Sequence, residues 1–328
     1  MVGLNGGHME KRFGKNVAAV SFACMIVVVL ASLVGADTPK FSDWSAPVNL
    51  GPMVNTVFLD AGPAISKDGL TLYFSSDRMG GFGSQDIWVA HRPTTDSPWG
   101  APVNIGSGIN TVALEQVPAL SRDEHWLFFN SDRAGGCGGV DIWASFRVNT
   151  HDDFDWQPPI NLGPGDQCGI GVNSAFFDGG VSYFENEDGG APLLYFGSAR
   201  PGGPGSIDVY TSAQQADGSF GPATLVAELS SPQSDQRPVP RFDGLELFLF
   251  SDRVGTVGGF DIWVATRETV ADAWSVPLNL GPSVNTTSDE RQAYLSSDRE
   301  TLFLVSNRPG GSGGFDLYVT KRTKTNVP

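Results

Sequence analysis

A stretch of fifteen residues, Ser76-Asp77-Arg78-Met79-Gly80-Gly81-Phe82-Gly83-Ser84-Gln85-Asp86-Ile87-Trp88-Val89-Ala90, constrains the fold more than any other feature of the chain. It returns as Ser131-Asp132-Arg133 … Asp141-Ile142-Trp143 and, worn, as Ser198-Ala199-Arg200 … Asp208-Val209-Tyr210. Two further copies are Ser251-Asp252-Arg253 … Asp261-Ile262-Trp263 and Ser306-Asn307-Arg308 … Asp316-Leu317-Tyr318. Five copies of one unit make a repeat architecture, in which no unit can bury its apolar surface alone. A second element keeps the same period. Trp44-Ser-Ala-Pro-Val-Asn-Leu-Gly51 recurs at Trp99, Trp156 and Trp274, with a degraded copy at Phe220.

Each period holds four extended segments. In the first unit they are Gly62–Ser66, Leu70–Ser75, Asp86–His91 and Pro102–Gly106, and Lys67-Asp68-Gly69 makes the tight turn between the first two. The second segment is apolar on both faces, as in Leu247-Phe-Leu-Phe250 and Leu302-Phe-Leu-Val305. A half-wet sheet would alternate; burial of both faces requires sheets stacked on either side, as in propeller blades. A lone fourth segment precedes the first unit, and the last unit lacks one after Lys321-Arg322. That offset of one strand predicts a closed ring, the N-terminal strand completing the last blade. The fold class is therefore all-β, a five-bladed propeller of four-stranded antiparallel blades over residues 44–322, with a linker at 37–43 and a tail at 323–328.

The run from Asp60 to Arg78 (acid, then Pro, Ser and Asp-Gly, then Leu-Tyr-Phe-Ser-Ser-Asp-Arg), followed by Asp86-Ile87-Trp88, resembles the TolB-type (WD40-like) β-propeller repeat. The likeness extends through every unit. It implies the propeller fold, export in many members, and in most of them binding of a protein or ligand; some relatives are peptidase or lyase modules. The chain departs from TolB itself, which has six blades behind a separate N-terminal domain, so the resemblance leaves function open.

Residues 1–36 read as a secretory signal peptide: a basic stretch at Lys11, Arg12 and Lys15, apolar sequence from Val17 to Val34, and small residues at Val34-Gly35-Ala36. Met9 offers a second start. Localisation is accordingly expected to be periplasmic or extracellular, without membrane insertion once the leader is removed. The full chain carries a net charge of −15, and loss of the leader leaves about −17, which excludes nucleic acid as a partner. The expected partner is a protein, a peptide, or a polar small ligand or glycan. Cys137 and Cys168 are the only cysteines after the leader. They sit in loops expected at one end of the second blade, so they are predicted to form a disulfide. His91, His125 and His151 lack metal-ligand spacing. No cofactor and no metal are expected; the recurrent loop aspartates leave calcium as the one ion to consider, without the ligand alternation of a calcium loop.

An acid heads the first strand of each unit: Asp60, Glu115, Asp178, Asp235 and Glu290. Five carboxyls at one mouth of a channel could supply the paired groups of a glycosidase or lyase, which is the alternative to a non-catalytic binding module. The leading reading is structural, because Asp60–Arg78, Glu115–Arg133, Asp235–Arg253 and Glu290–Arg308 share one spacing and face each other across a hairpin. The wider spacing of Asp178 and Arg200 predicts a misregistered pair and a freer acid. Residues that differ between blades mark the expected binding mouth: Gln116, Asn173, Asp178, Gln236, Arg237, Arg291 and Gln292. The tryptophans of the third strands and before the fourth strands recur with the repeat and read as core; Trp126 is the candidate for a sugar-stacking platform, and its place within a second strand argues against that role.

Overall fold

The computed structural model describes residues 40–163, 168–186 and 189–325. The expected leader and the first linker residues, 37–39, lie outside them, as do parts of the long loop and hairpin of the third unit and residues 326–328 of the tail. Two short strands open the described chain, β1 (Lys40–Phe41) and β2 (Val48–Asn49). Blade 1 comprises β3 (Asp60–Ile65), β4 (Thr71–Ser76), β5 (Asp86–His91) and β6 (Val103–Asn104). Blade 2 comprises β7 (Glu115–Leu120), β8 (Trp126–Ser131), β9 (Asp141–Phe146) and β10 (Ile160–Asn161). Blade 3 comprises β11 (Asp178–Phe184), β12 (Leu193–Ser198), β13 (Asp208–Ala213) and β14 (Thr224–Leu225). Blade 4 comprises β15 (Asp235–Pro240), β16 (Glu246–Ser251), β17 (Asp261–Thr266) and β18 (Leu278–Asn279). Blade 5 takes β19 (Glu290–Leu295), β20 (Thr301–Ser306) and β21 (Asp316–Lys321), and its fourth strand is β2 from the N-terminal side.

The ring closes where the strand offset predicts: Val48 pairs with Val319 and Asn49 with Tyr318, antiparallel. A further pairing, β1 with β22 (Lys324–Thr325), lies outside the repeat and reinforces the seam. The first strand of each blade is innermost, and β19 touches β3 to complete the circle. The second strands are buried on both faces; Leu72, Phe74, Leu127, Phe129, Leu247 and Leu249 are all fully inaccessible. Burial of a Leu or Phe stabilises by roughly 1.5–3 kcal/mol, so these strands carry the blade-to-blade core. The fourth strands are only two residues long, shorter than the five-residue segments read from the sequence.

Between blades, one asparagine acts as a piece of strand. The Asn55 side chain donates to the Leu317 carbonyl at 2.9 Å and accepts from its N–H at 2.8 Å. Asn110, Asn173 and Asn285 do the same for Ile87, Ile142 and Ile262. Each thus satisfies a buried backbone N–H and shares its carbonyl with the residue after the fourth strand, Leu50, Ile105, Leu162 or Leu280.

Candidate functional site

The five strand-heading acids are completely buried and each meets its arginine. Asp60–Arg78 lies at 2.5 Å, Glu115–Arg133 at 2.9 Å, Asp178–Arg200 at 2.8 Å and Glu290–Arg308 at 3.0 Å; Asp235 and Arg253 are in contact as well. Each carboxylate also accepts the N–H of the residue four positions earlier, such as Thr56 at 2.6 Å and Thr111 at 2.6 Å. Each guanidinium lies over the aromatic side chain of the third strand. The misregistered pair expected in the third unit does not occur. Asp178 aligns with Ser198 as Asp60 does with Ser76, because the extra residues are absorbed in the hairpin loop beyond the paired ends. Asp178 is therefore no freer than its counterparts.

The channel itself is narrowed by a bulge repeated in all five innermost strands. The third residue of each, Gly62, Val117, Gly180, Arg237 and Gln292, has positive φ between 45° and 64°. A Cβ on Gly62 would come within 2.9 Å of the Val117 Cα, and one on Gly180 within 2.9 Å of the Arg237 Cα. Glycine at two positions makes that approach possible. Arg237 then fills the axis. Its guanidinium is buried and donates to the carbonyls of Pro63 at 2.5 Å, Gln292 at 3.2 Å and Pro118 at 3.5 Å, tying blade 4 to blades 1, 5 and 2. Burial pulls its pKa down to about 9.

The expected mouth therefore divides. Asn173 and Asp178 are buried structural groups, and Arg237 is an internal brace; none of the three is available to a ligand as the sequence pattern suggests. Gln292 is half-buried, and its Oε1 accepts the Gly62 N–H at 2.8 Å. Gln116, Gln236 and Arg291 are half-buried at the second position of their strands, Gln236 donating to Ser234 at 2.8 Å and Arg291 paired with Asp289 at 2.5 Å.

The aspartates of the Asp-Ile-Trp copies close the glycine-rich loops. Asp86 accepts from Phe82 N–H at 2.5 Å and from the Asn104 amide at 3.2 Å; Asp141 accepts from Cys137 N–H at 2.5 Å and from Asn161 at 3.3 Å. Burial raises the pKa of Asp86, Asp141 and Asp208 against the opposing pull of these hydrogen bonds. Cys137 and Cys168 are joined, with their Cα atoms 5.4 Å apart. Among the described residues, no group of three or more His, Cys, Asp and Glu side chains could hold a metal ion, and no helix is long and apolar enough to cross a membrane.

The seams between blades show a feature that the sequence reading missed. In four blades the residue after the third strand is an arginine whose guanidinium stacks on the tryptophan before the fourth strand. Arg92 lies over Trp99 at 4.3 Å, Arg147 over Trp156 at 4.4 Å, Arg267 over Trp274 at 4.1 Å and Arg322 over Trp44 at 4.4 Å. The Nε of each donates to a carbonyl of the first hairpin turn. Blade 3 has Gln214 and Phe220 at these positions. Three seams are filled: by Tyr73, Asp153 and Arg147 between blades 1 and 2, by Tyr195 and Trp274 between 3 and 4, and by Arg322 on Glu246 between 4 and 5. Two are open. The cleft between blades 5 and 1, about 820 Å³, is lined by charged groups including Lys67, Asp68, Arg92 and Asp298. The cleft between blades 2 and 3, about 460 Å³, is lined by Trp126, Phe128, Tyr183 and Phe220 together with Gln214 and Ser219.

No family model matches the chain, and no curated protein matches its sequence. Solved structures do share its fold. An α-L-arabinofuranosidase from Lactobacillus brevis aligns with a TM-score of 0.55 at 15% identity, covering 84% of this chain and 93% of that one. An α-L-arabinofuranosidase from Podospora anserina, solved with cellotriose, aligns at 0.56 and 11% identity over 88% and 99%. An exo-β-1,3-galactanase from Phanerochaete chrysosporium, solved with galactose, aligns at 0.52 and 13% identity over 84% and 64%. At these identities the likeness is one of architecture.

Proposed function

We propose that this protein is an exported β-propeller that recognises carbohydrate by binding it rather than cleaving it. One observation carries the reading: all five channel carboxylates are buried in ion pairs with arginine, and a sixth arginine, Arg237, occupies the axis. Glycoside hydrolysis needs two carboxyl groups facing one bond, roughly 5–9.5 Å apart, one kept protonated. A carboxylate held by a guanidinium, a backbone N–H and a buried wall meets neither demand. The carbohydrate assignment draws support from the fold it shares with two α-L-arabinofuranosidases and an exo-β-1,3-galactanase, two of these solved with cellotriose or galactose; their hydrolase names favour the alternative, a carbohydrate-active enzyme. Export draws support from the leader pattern and from the disulfide. The repeat's resemblance to TolB-type propellers supports a binding role in general and adds protein or peptide as a second class of partner.

The test is a glycan array on the leader-free protein beside a hydrolysis screen with the same oligosaccharides. Saturable binding of neutral glycans without released product is expected. Turnover that disappears in Asp178→Asn or Glu115→Gln, with folding intact, would establish the glycosidase or lyase alternative instead.

A further inference from the structure

The geometry points to the cleft between blades 2 and 3 as a binding site for a neutral pyranoside, an inference that rests on the carbohydrate-binding reading above. The five seams occupy equivalent places in the ring, and this one departs from the others. Where blade 3 has Gln214 and Phe220, the other blades have the arginine–tryptophan stack. Where blade 3 has Tyr183, the corresponding first-strand residues are Ile65, Leu120, Pro240 and Leu295. Where blade 2 has Trp126, the second strands of the other blades begin with Thr71, Leu193, Glu246 and Thr301. Three blade-specific changes thus fall on one cleft: an uncharged amide and a phenylalanine for the arginine and tryptophan of the stack, and an aromatic for a non-aromatic residue at each of the other two positions.

The resulting surface has two characters. The rings form a continuous ladder: Trp126 and Phe128 lie 6.3 Å apart and near parallel, Phe128 and Tyr183 5.3 Å apart and near parallel, and Phe220 meets Tyr183 edge-on at 6.4 Å. Beside them the Tyr183 hydroxyl donates to Gln214 Oε1 at 3.0 Å, and Gln214 Nε2 reaches the Gly218 carbonyl at only 3.3 Å. Burial pushes the Tyr183 phenol up to about 12, so it remains a donor at any working pH. No charged side chain lines the cleft, in a protein whose charge is strongly negative. Anions are disfavoured by that field, and a cation would have no carboxylate in the wall to meet. A neutral ligand with one C–H face for the rings and hydroxyls for the amide and phenol fits both characters. The volume suits a ligand of one or two sugar rings, near the lower end of small-molecule sites.

The experiment is calorimetric titration of the leader-free protein with cellobiose and xylobiose, with glucuronate and octanol as anionic and predominantly apolar probes. Gln214→Arg with Phe220→Trp rebuilds the stack that four blades already carry, so it should fold with an unchanged Tm while replacing the amide and the phenyl ring of the cleft wall by a cation and an indole; the seam between blades 5 and 1 stays open beside the same stack. Trp126→Thr, the residue of blades 1 and 5, is the second variant. Loss of neutral-sugar affinity by roughly tenfold or more in either, the equivalent of one aromatic contact, is the expected result. Sugar binding undiminished in both variants would overturn the seam and leave the carbohydrate reading standing. Octanol or glucuronate bound there in place of the neutral sugars would overturn the ligand assignment. No carbohydrate binding by any form would overturn both.

Discussion

At the scale of single residues, the strand-heading acids show what an internal repeat makes visible. One acid-to-arginine spacing recurring in four units implies a pair on the strength of the repeat alone, and the contacts are present in all five blades. Burial was not visible, and it changes the energetics. An exposed pair is worth at most about 1 kcal/mol. Removing one partner of a buried pair strands a charge and costs about 3–5 kcal/mol. Asp60→Asn and Asp178→Asn should therefore destabilise by similar amounts in that range, measured by denaturant unfolding. Removing the arginine as well should recover part of the loss. An Asp178 variant much milder than the Asp60 variant would contradict the equivalence of the third blade. The bulge and the place of Arg237 on the axis were not legible, because positive φ is expected at glycine, whereas Val117, Arg237 and Gln292 adopt it as well.

At the scale of elements, the three long strands and the first turn of each unit were readable from apolar runs and Asp-Gly punctuation. The two-residue fourth strands were not, since their work is shared with Asn55, Asn110, Asn173 and Asn285. The open seam was written in the sequence as an exception, Gln214 and Phe220 set against Arg92 and Trp99. Its strand position argues against Trp126 as a platform for a sugar, yet it is half-buried on a cleft. The loop aspartates make a testable pH argument. Burial raises the pKa of Asp86 and Asp141 above the unfolded value, so the native state takes up their protons first. Their contribution to stability is fully present below the unfolded carboxylate pKa, near 3.9, and is lost as pH rises through the shifted folded value. Asp86→Asn and Asp141→Asn lack that dependence. Thermal melts at pH 6 and pH 4 should show the wild type gaining on each variant in acid; a constant gap would remove the argument.

At the scale of the whole molecule, the ring is held by a strand from the far end of the chain. β2 completes blade 5, and Trp44 lies under Arg322 and packs edge-on against Phe248 at 6.1 Å. The missing last segment made this legible, whereas the ligand was not, because repeated residues serve the architecture and only departures from the repeat can serve a site. Deleting residues 40–51 would leave β21 as an open edge and expose the apolar wall beneath Trp44. Trp44 is half-buried, so its loss costs less than the removal of a core tryptophan and adds to the loss of the strand pairing. A broad transition and a Tm lowered by many degrees are expected in calorimetry. Changed composition could produce the same outcome, so the decisive partner is a circular permutant in which 40–51 follows Thr325 through a two-residue Asn-Gly turn, since Lys40 lies opposite Thr325. There the fourth strand of blade 5 is contiguous with its third, and the ring is cut between blades 5 and 1 instead. If closure by pairing is what matters, the permutant should melt close to the wild type while the deletion does not. A deletion as stable as the parent would show that the propeller holds without its closing strand.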